Sequence, residues 1–217
     1  MLDRLYQYKF EVFLYSQVAI LFGALIVPAR LFETTISPIL FYINLIAGGI
    51  LLMSENRTLK RLVLVVIVIF GVIISFTIVE EIKLFIYMKI GVLFIFHLIV
   101  AFEIIKQIWQ AKKVNRNVIY GLISGYISLG LIGFFICLSV ELVRPGSFQG
   151  LLNFGDITSG LMYYSYITML TIGFGDIVPI TLVAQKATIL IGLMGQFYLV
   201  IISAVVIGKY ITKFKKD

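Results

Sequence analysis

Blocks of apolar residues roughly 17 to 25 long, separated by short polar stretches, constrain this chain more than any other feature. As helices, such blocks match the ~30 Å hydrocarbon core of a bilayer, where a helix satisfies its own backbone hydrogen bonds. They predict membrane-spanning helices near residues 10–27, 36–53, 62–79, 84–105, 118–143 and 180–208. A further apolar piece, 157–170, would be only ~21 Å long as a helix, too short to cross. The expected fold class is an all-α membrane protein with six transmembrane helices and a re-entrant helix between the fifth and sixth.

Composition agrees. Of 217 residues, 61% are hydrophobic and 13% charged, far from the balance of a soluble domain. The formal charge of +7 then reads as loop charge that sets orientation, not as a nucleic-acid surface. Basic residues at Arg4 and Lys9 and within 54–61, 106–117 and 209–217 all fall on one side if both termini are cytoplasmic. Only Arg30, Lys83 and Arg144 then face outward. The first apolar run lacks a cleavage site and reads as a retained helix. Cys137 is the sole cysteine, so no intrachain disulfide is possible. No soluble domain is expected after the last span, and hence no cytoplasmic ligand-binding domain. Membrane lipids are expected partners; Lys106, Lys112, Lys113 and Arg116 suit anionic headgroups, although orientation alone already explains them.

Between the re-entrant piece and the last span lies Thr168-Met169-Leu170-Thr171-Ile172-Gly173-Phe174-Gly175-Asp176. Turning successive carbonyls to one side requires alternation of ordinary and left-handed backbone angles, which Gly173 and Gly175 take at little steric cost. Rows of such carbonyls replace the water around a cation without adding net charge. The Thr171 hydroxyl adds oxygens at the inner end, and Asp176 holds the backbone and draws cations to the mouth. From Thr171 to Gly175 an extended chain reaches at most ~17 Å. Asp156 is a candidate N-cap for the short helix, whose C-terminal dipole end would favour a cation below the loop. Irregular backbone at membrane depth must be buried in protein or line water; four copies of the loop would close such a ring.

The run resembles the Thr-x-x-Thr-x-Gly-(Tyr/Phe)-Gly-Asp motif of potassium channels, matched by Thr168, Thr171, Gly173, Phe174, Gly175 and Asp176. The stretch from Asp176 to Tyr210, with Pro179 and Gly195-Gln196-Phe197-Tyr198-Leu199, looks like the inner helix of small prokaryotic channels with a single pore loop. The resemblance covers about residues 118–210. It implies a homotetramer in a prokaryotic plasma membrane, conducting potassium passively and needing no cofactor beyond the permeant ion. Potassium would sit at Thr171, Ile172, Gly173 and Phe174, with Gly175 completing the filter. Thr168, Asp176, Tyr163, Tyr164 and Ile167 would support it. Phe174 lacks the hydroxyl of the commoner tyrosine, and Ile167 stands where some relatives carry glutamate. Tyr163 and Tyr164 are the candidates to supply hydroxyls instead. Gly195 falls at the family's gating hinge; close helix packing is the other reading.

In the last span Gln196, Leu199 and Ser203 share one helical face by spacing. That face is expected to line a water-filled cavity, the alternative being hydrogen bonding between helices. The expected organisation is a four-helix module over 1–106, a basic linker over 107–117 and a pore domain over 118–217. The fourth span contains no arginine, so no charge-moving voltage sensor is expected. His97, the sole histidine, either titrates near neutral pH or is a neutral residue satisfied by its neighbours.

Gly173-Phe174-Gly175-Asp176 also fits the Gly-x-Gly-Asp motif of intramembrane aspartyl proteases. That chemistry needs two carboxylates sharing a proton, and the other aspartates, Asp3, Asp156 and Asp217, lie on no span. The chain is therefore not expected to be an enzyme. A non-selective cation channel is the alternative within transport.

Overall fold

A computed structural model of the chain describes residues 8–28, 31–52, 62, 65, 66, 69, 83–111, 115–154 and 156–214. The expected span at 62–79 lies almost wholly outside them. By compactness the chain divides into two units, residues 1–92 with 102–125 and residues 93–101 with 126–217.

In the first unit, helix α1 (Lys9–Phe22) packs along α2 (Ser37–Leu52). The helical part of α1 is 14 residues, shorter than the expected span at 10–27, because the chain narrows to a 3-10 turn at Gly23–Leu25 ahead of Pro28. A wide π turn at Phe32–Ile36 immediately precedes Pro38. Proline donates no backbone N–H and crowds the preceding turn, which accounts for a widened ladder there. The core of this pair is apolar, with Phe13, Ile20, Leu45 and Leu51 fully or almost fully buried. Asn44 donates from Nδ2 to the Ser16 hydroxyl at 2.8 Å, the kind of polar joint that holds helices together in lipid.

Helices α3 (Lys83–Gln110) and α4 (Arg116–Val143) are both 28 residues long. Helix α3 runs past its apolar block at 84–105 to Gln110, where Lys106, Gln107 and Gln110 are good helix formers despite their polarity. The Asn115 side chain accepts from the Val118 amide at 3.0 Å, capping the start of α4.

The second unit contains a two-stranded antiparallel ribbon and the remaining helices. Strand β1 (Phe148–Gln149) pairs with β2 (Val178–Pro179), Phe148 opposite Pro179. Between them come a 3-10 turn (Leu151–Phe154) and α5 (Ile157–Met169). After β2, α6 (Leu182–Phe197) passes through a π turn (Tyr198–Ile202) into α7 (Ser203–Phe214).

Among the described residues, four helical stretches are long and apolar enough to cross a membrane: Thr34–Leu51, Ile86–Gln110, Arg116–Val143 and Leu182–Lys209. The 13 residues of α5 amount to ~20 Å, too short to do so. The chain is mostly helical, in keeping with an all-α membrane protein.

Candidate functional site

The site grows from the two ends of α5. At its start Asp156 is extended (φ −127°) and its Oδ2 accepts from the Ser159 amide at 3.1 Å, a conventional N-cap. Two side chains pin the helix to carbonyls of α4: Ser165 Oγ donates to Gly130 O, and Tyr166 Oη to Ile127 O, both at 2.8 Å.

At its end the helix closes in a Schellman motif. The Ile172 amide donates to Ile167 O at 2.9 Å, and the Thr171 amide to Thr168 O at 3.0 Å. This pair of bonds requires a left-handed residue between helix and exit. Here that residue is Thr171, with φ +59°, where glycine is usual. Gly173 (φ +57°) and Gly175 (φ +79°) are also left-handed, whereas Ile172 and Phe174 are not. Left-handed residues thus alternate at 171, 173 and 175, the pattern that turns successive carbonyls toward one side. Gly173 donates a further, longer bond to Ile167 O, 3.3 Å. The sequence points to left-handed angles at the two glycines; at Thr171, expected only as a source of hydroxyl oxygens, the left-handed angle is new. The missed signal was apolar residues at both the third position from the helix end and the second beyond it, Ile167 and Ile172.

Residues 171–176 are exposed in the single chain, Phe174 most of all among the apolar ones at 71%. At the outer end Asp176 is held on two sides. Tyr163 donates its hydroxyl to Asp176 Oδ2 at 2.6 Å, and the Ile177 amide donates to Oδ1 at 3.0 Å. The bond to the carboxylate raises the Tyr163 phenol above its ordinary value. Tyr164 turns the other way. Its hydroxyl meets Thr188 Oγ1 at 2.6 Å, and Thr188 itself donates to Ala184 O, so Tyr164 is the donor. The Ile167 side chain is buried, and its carbonyl, not its side chain, engages the loop.

Glu141 was not singled out from the sequence. Buried at the last turn of α4, its carboxylate accepts from three successive backbone amides, Gly146 (2.6 Å), Ser147 (2.9 Å) and Phe148 (3.1 Å). The same segment reaches the chain beyond Asp176 through the ribbon and through Ile180 N to Ser147 O, 2.9 Å. A carboxylate at a helix C-terminus opposes the macrodipole, and that misfit was the available clue.

On α6, Gly195 lies against the end of α5: a Cβ there would stand 2.6 Å from Met169 O. Close approach therefore requires glycine at 195, whether or not the helix bends there. The departure from α geometry lies three residues on, at Tyr198–Ile202. Gln196 and Leu199 are exposed. The spacing that joined Ser203 to their face assumed an unbroken α-helix, and the wider π turn shifts that register; the Ser203 side chain lies outside the described ones. His97 is fully buried, with Nδ1 2.8 Å from Leu93 O and its ring against Phe96 and Phe135. A carbonyl only accepts, so Nδ1 carries the proton.

Residues 121–213 match the model of a family described as ion channel. The match takes in most of α4, all of α5 and the 171–176 loop, and α6 almost to the end of α7. It supports an ion channel and does not favour the protease alternative. No curated protein and no solved structure matched the chain.

Proposed function

We propose that the chain is one subunit of a tetrameric, potassium-selective channel, with the 171–176 loop as its filter. The observation that carries this reading is the alternation of left-handed residues at 171, 173 and 175, at the end of a capped helix and inside the ion-channel match. Four such loops around an axis would offer stacked carbonyl rings in place of the ion's hydration shell. Thr171, Ile172, Gly173 and Phe174 hold the ions, and Gly175 completes the row. Thr168, Asp176, Tyr163 and Ile167 support it, the last through its carbonyl. Tyr164 serves by fixing α5 to α6. Below the filter, Gln196 and Leu199 face the cavity, and the inner helix moves about Gly195. The protein sits in a prokaryotic plasma membrane with both termini cytoplasmic and the filter toward the outside.

Purified protein in liposomes tests this directly. Potassium efflux blocked by barium, with sodium efflux far slower, is the expected result. Equal sodium and potassium permeability would establish a non-selective cation channel instead. Peptide cleavage lost on Asp176→Asn would return the protease reading.

A further inference from the structure

We propose that a cleft in the first unit binds the phosphate-bearing headgroup of an anionic membrane lipid. The cleft has a volume of 370 Å³, within the ordinary range for ligand sites. Lys9 and Phe10 enter it from the start of α1, Gln107 and Ile108 from the end of α3, and Asn117 and Val118 from the start of α4.

Three observations select the ligand. The first is charge. Among the described residues of the lining, Lys9 is the one that carries charge, and none is acidic. Its side chain is only 8% exposed, and its ammonium lies 5.3 Å from the centre of the Phe10 ring. A lysine that far from water gives the cleft a positive interior, because interactions of buried charge are weakly screened. Glu103, on the same helix as Gln107, is already engaged by Gln107 Nε2 at 3.0 Å and Lys106 Nζ at 3.9 Å.

The second is depth. The membrane-length stretches Ile86–Gln110 and Arg116–Val143 both end at the cleft, which places it at the edge of the hydrocarbon. The third is the mixture of surfaces. Amides and an ammonium suit a phosphate, while Phe10, Ile108 and Val118 suit the glycerol and first methylenes attached to it. A free phosphate ion would use only the first set. The exposed Arg116 and half-exposed Lys106 stand at the same edge, where basic residues draw anionic lipid. An occupied cleft ties the start of α1 to the start of α4. The inference rests on the chain being a membrane protein and not on which ion it conducts.

The test is lipid retention by the full chain, measured by native mass spectrometry after extraction from vesicles of phosphatidylglycerol mixed with phosphatidylcholine. The wild type should retain phosphatidylglycerol preferentially. Lys9→Gln should weaken retention about fivefold, the equivalent of ~1 kcal/mol per basic residue at an anionic surface. Lys186→Gln, on α6 and outside the lining, should leave it unchanged. If Lys9→Gln does not fold, Asn117→Asp, which puts a carboxylate in the lining, should lower retention instead. Equal retention of the two lipids overturns the proposal, as does a Lys9→Gln or Asn117→Asp protein that retains phosphatidylglycerol like the wild type. An equal loss with Lys186→Gln would mean diffuse surface charge and no site, which overturns the proposal. Displacement of the lipid by inorganic phosphate alone would make the cleft a free-anion site, which also overturns it. Ion flux plays no part in the readout, so a failure here is separate from a failure of the channel reading.

Discussion

The two ends of the 171–176 loop are held by different chemistry. The inner end is closed by main-chain bonds, with the Ile167 and Thr168 carbonyls receiving the amides of Ile172, Gly173 and Thr171. The outer end is held by side chains: Asp176 to Tyr163, and Glu141 to the loop that pairs with Val178 and Pro179. Main-chain bonds survive most substitutions, since every non-proline residue supplies the same donor and acceptor. Side-chain bonds vanish with one residue. The outer end is therefore where mutation should loosen the loop, and the inner end is where only backbone geometry matters.

Gly173→Ala should have the largest effect and should act through backbone angle. No atom lies within 4 Å of the position a Cβ would take within the chain, but φ +57° costs an L-residue ~1–2 kcal/mol, repeated in every subunit. Potassium efflux from liposomes should be abolished, with assembly intact on size exclusion; wild-type flux would break the claim that angle governs this end. Next comes Glu141→Ala, which strips three successive amides of their acceptor. Charge-assisted hydrogen bonds contribute ~1.5–3 kcal/mol each and are not additive, so a loss of about 3 kcal/mol in thermal unfolding is expected, with rapid decay of potassium current. Glu141→Gln, which retains one acceptor oxygen, should fall between. An unaltered current in Glu141→Ala would show that the outer end has another tether.

Gly195→Ala sharpens the comparison from the inner side. A methyl 2.6 Å from Met169 O overpacks the contact between α5 and α6, a change that typically costs ~1–3 kcal/mol. The expected outcome is a lower melting temperature together with reduced flux. A protein of unchanged stability that fails only to open would assign Gly195 to bending and not to packing. Tyr163→Phe should be mildest, removing one exposed hydrogen bond while leaving the Ile177 amide on Asp176. Faster decay of current at unchanged ion selectivity is expected. A shift of selectivity toward sodium would mean that the outer bond shapes the carbonyl rows themselves.

Much of this arrangement was legible in the sequence, because it depends on local terms. Segment length and apolarity marked the helices α2, α3, α4 and α6–α7. An acidic residue before a short apolar stretch marked the N-cap Asp156, and two glycines two apart marked left-handed backbone. Boundaries slipped where local terms competed, as with α1, which ends at Phe22 because helical geometry gives way ahead of Pro28. The long end of α3 went unread because hydropathy reports where lipid begins, and helix propensity does not stop there.

The amino-acid sequence by itself determined that the chain builds apolar helices of membrane length, and that a short capped helix runs into a glycine-alternating loop. Both follow from side-chain chemistry and backbone freedom residue by residue. Only the tertiary structure decided that Thr171 takes the left-handed helix exit, that Ile167 acts through its carbonyl, and that Gly195 must leave room for Met169. It also decided which amides Glu141 reaches. Each of these depends on where a distant segment returns in space, and no single residue's preferences carry that information.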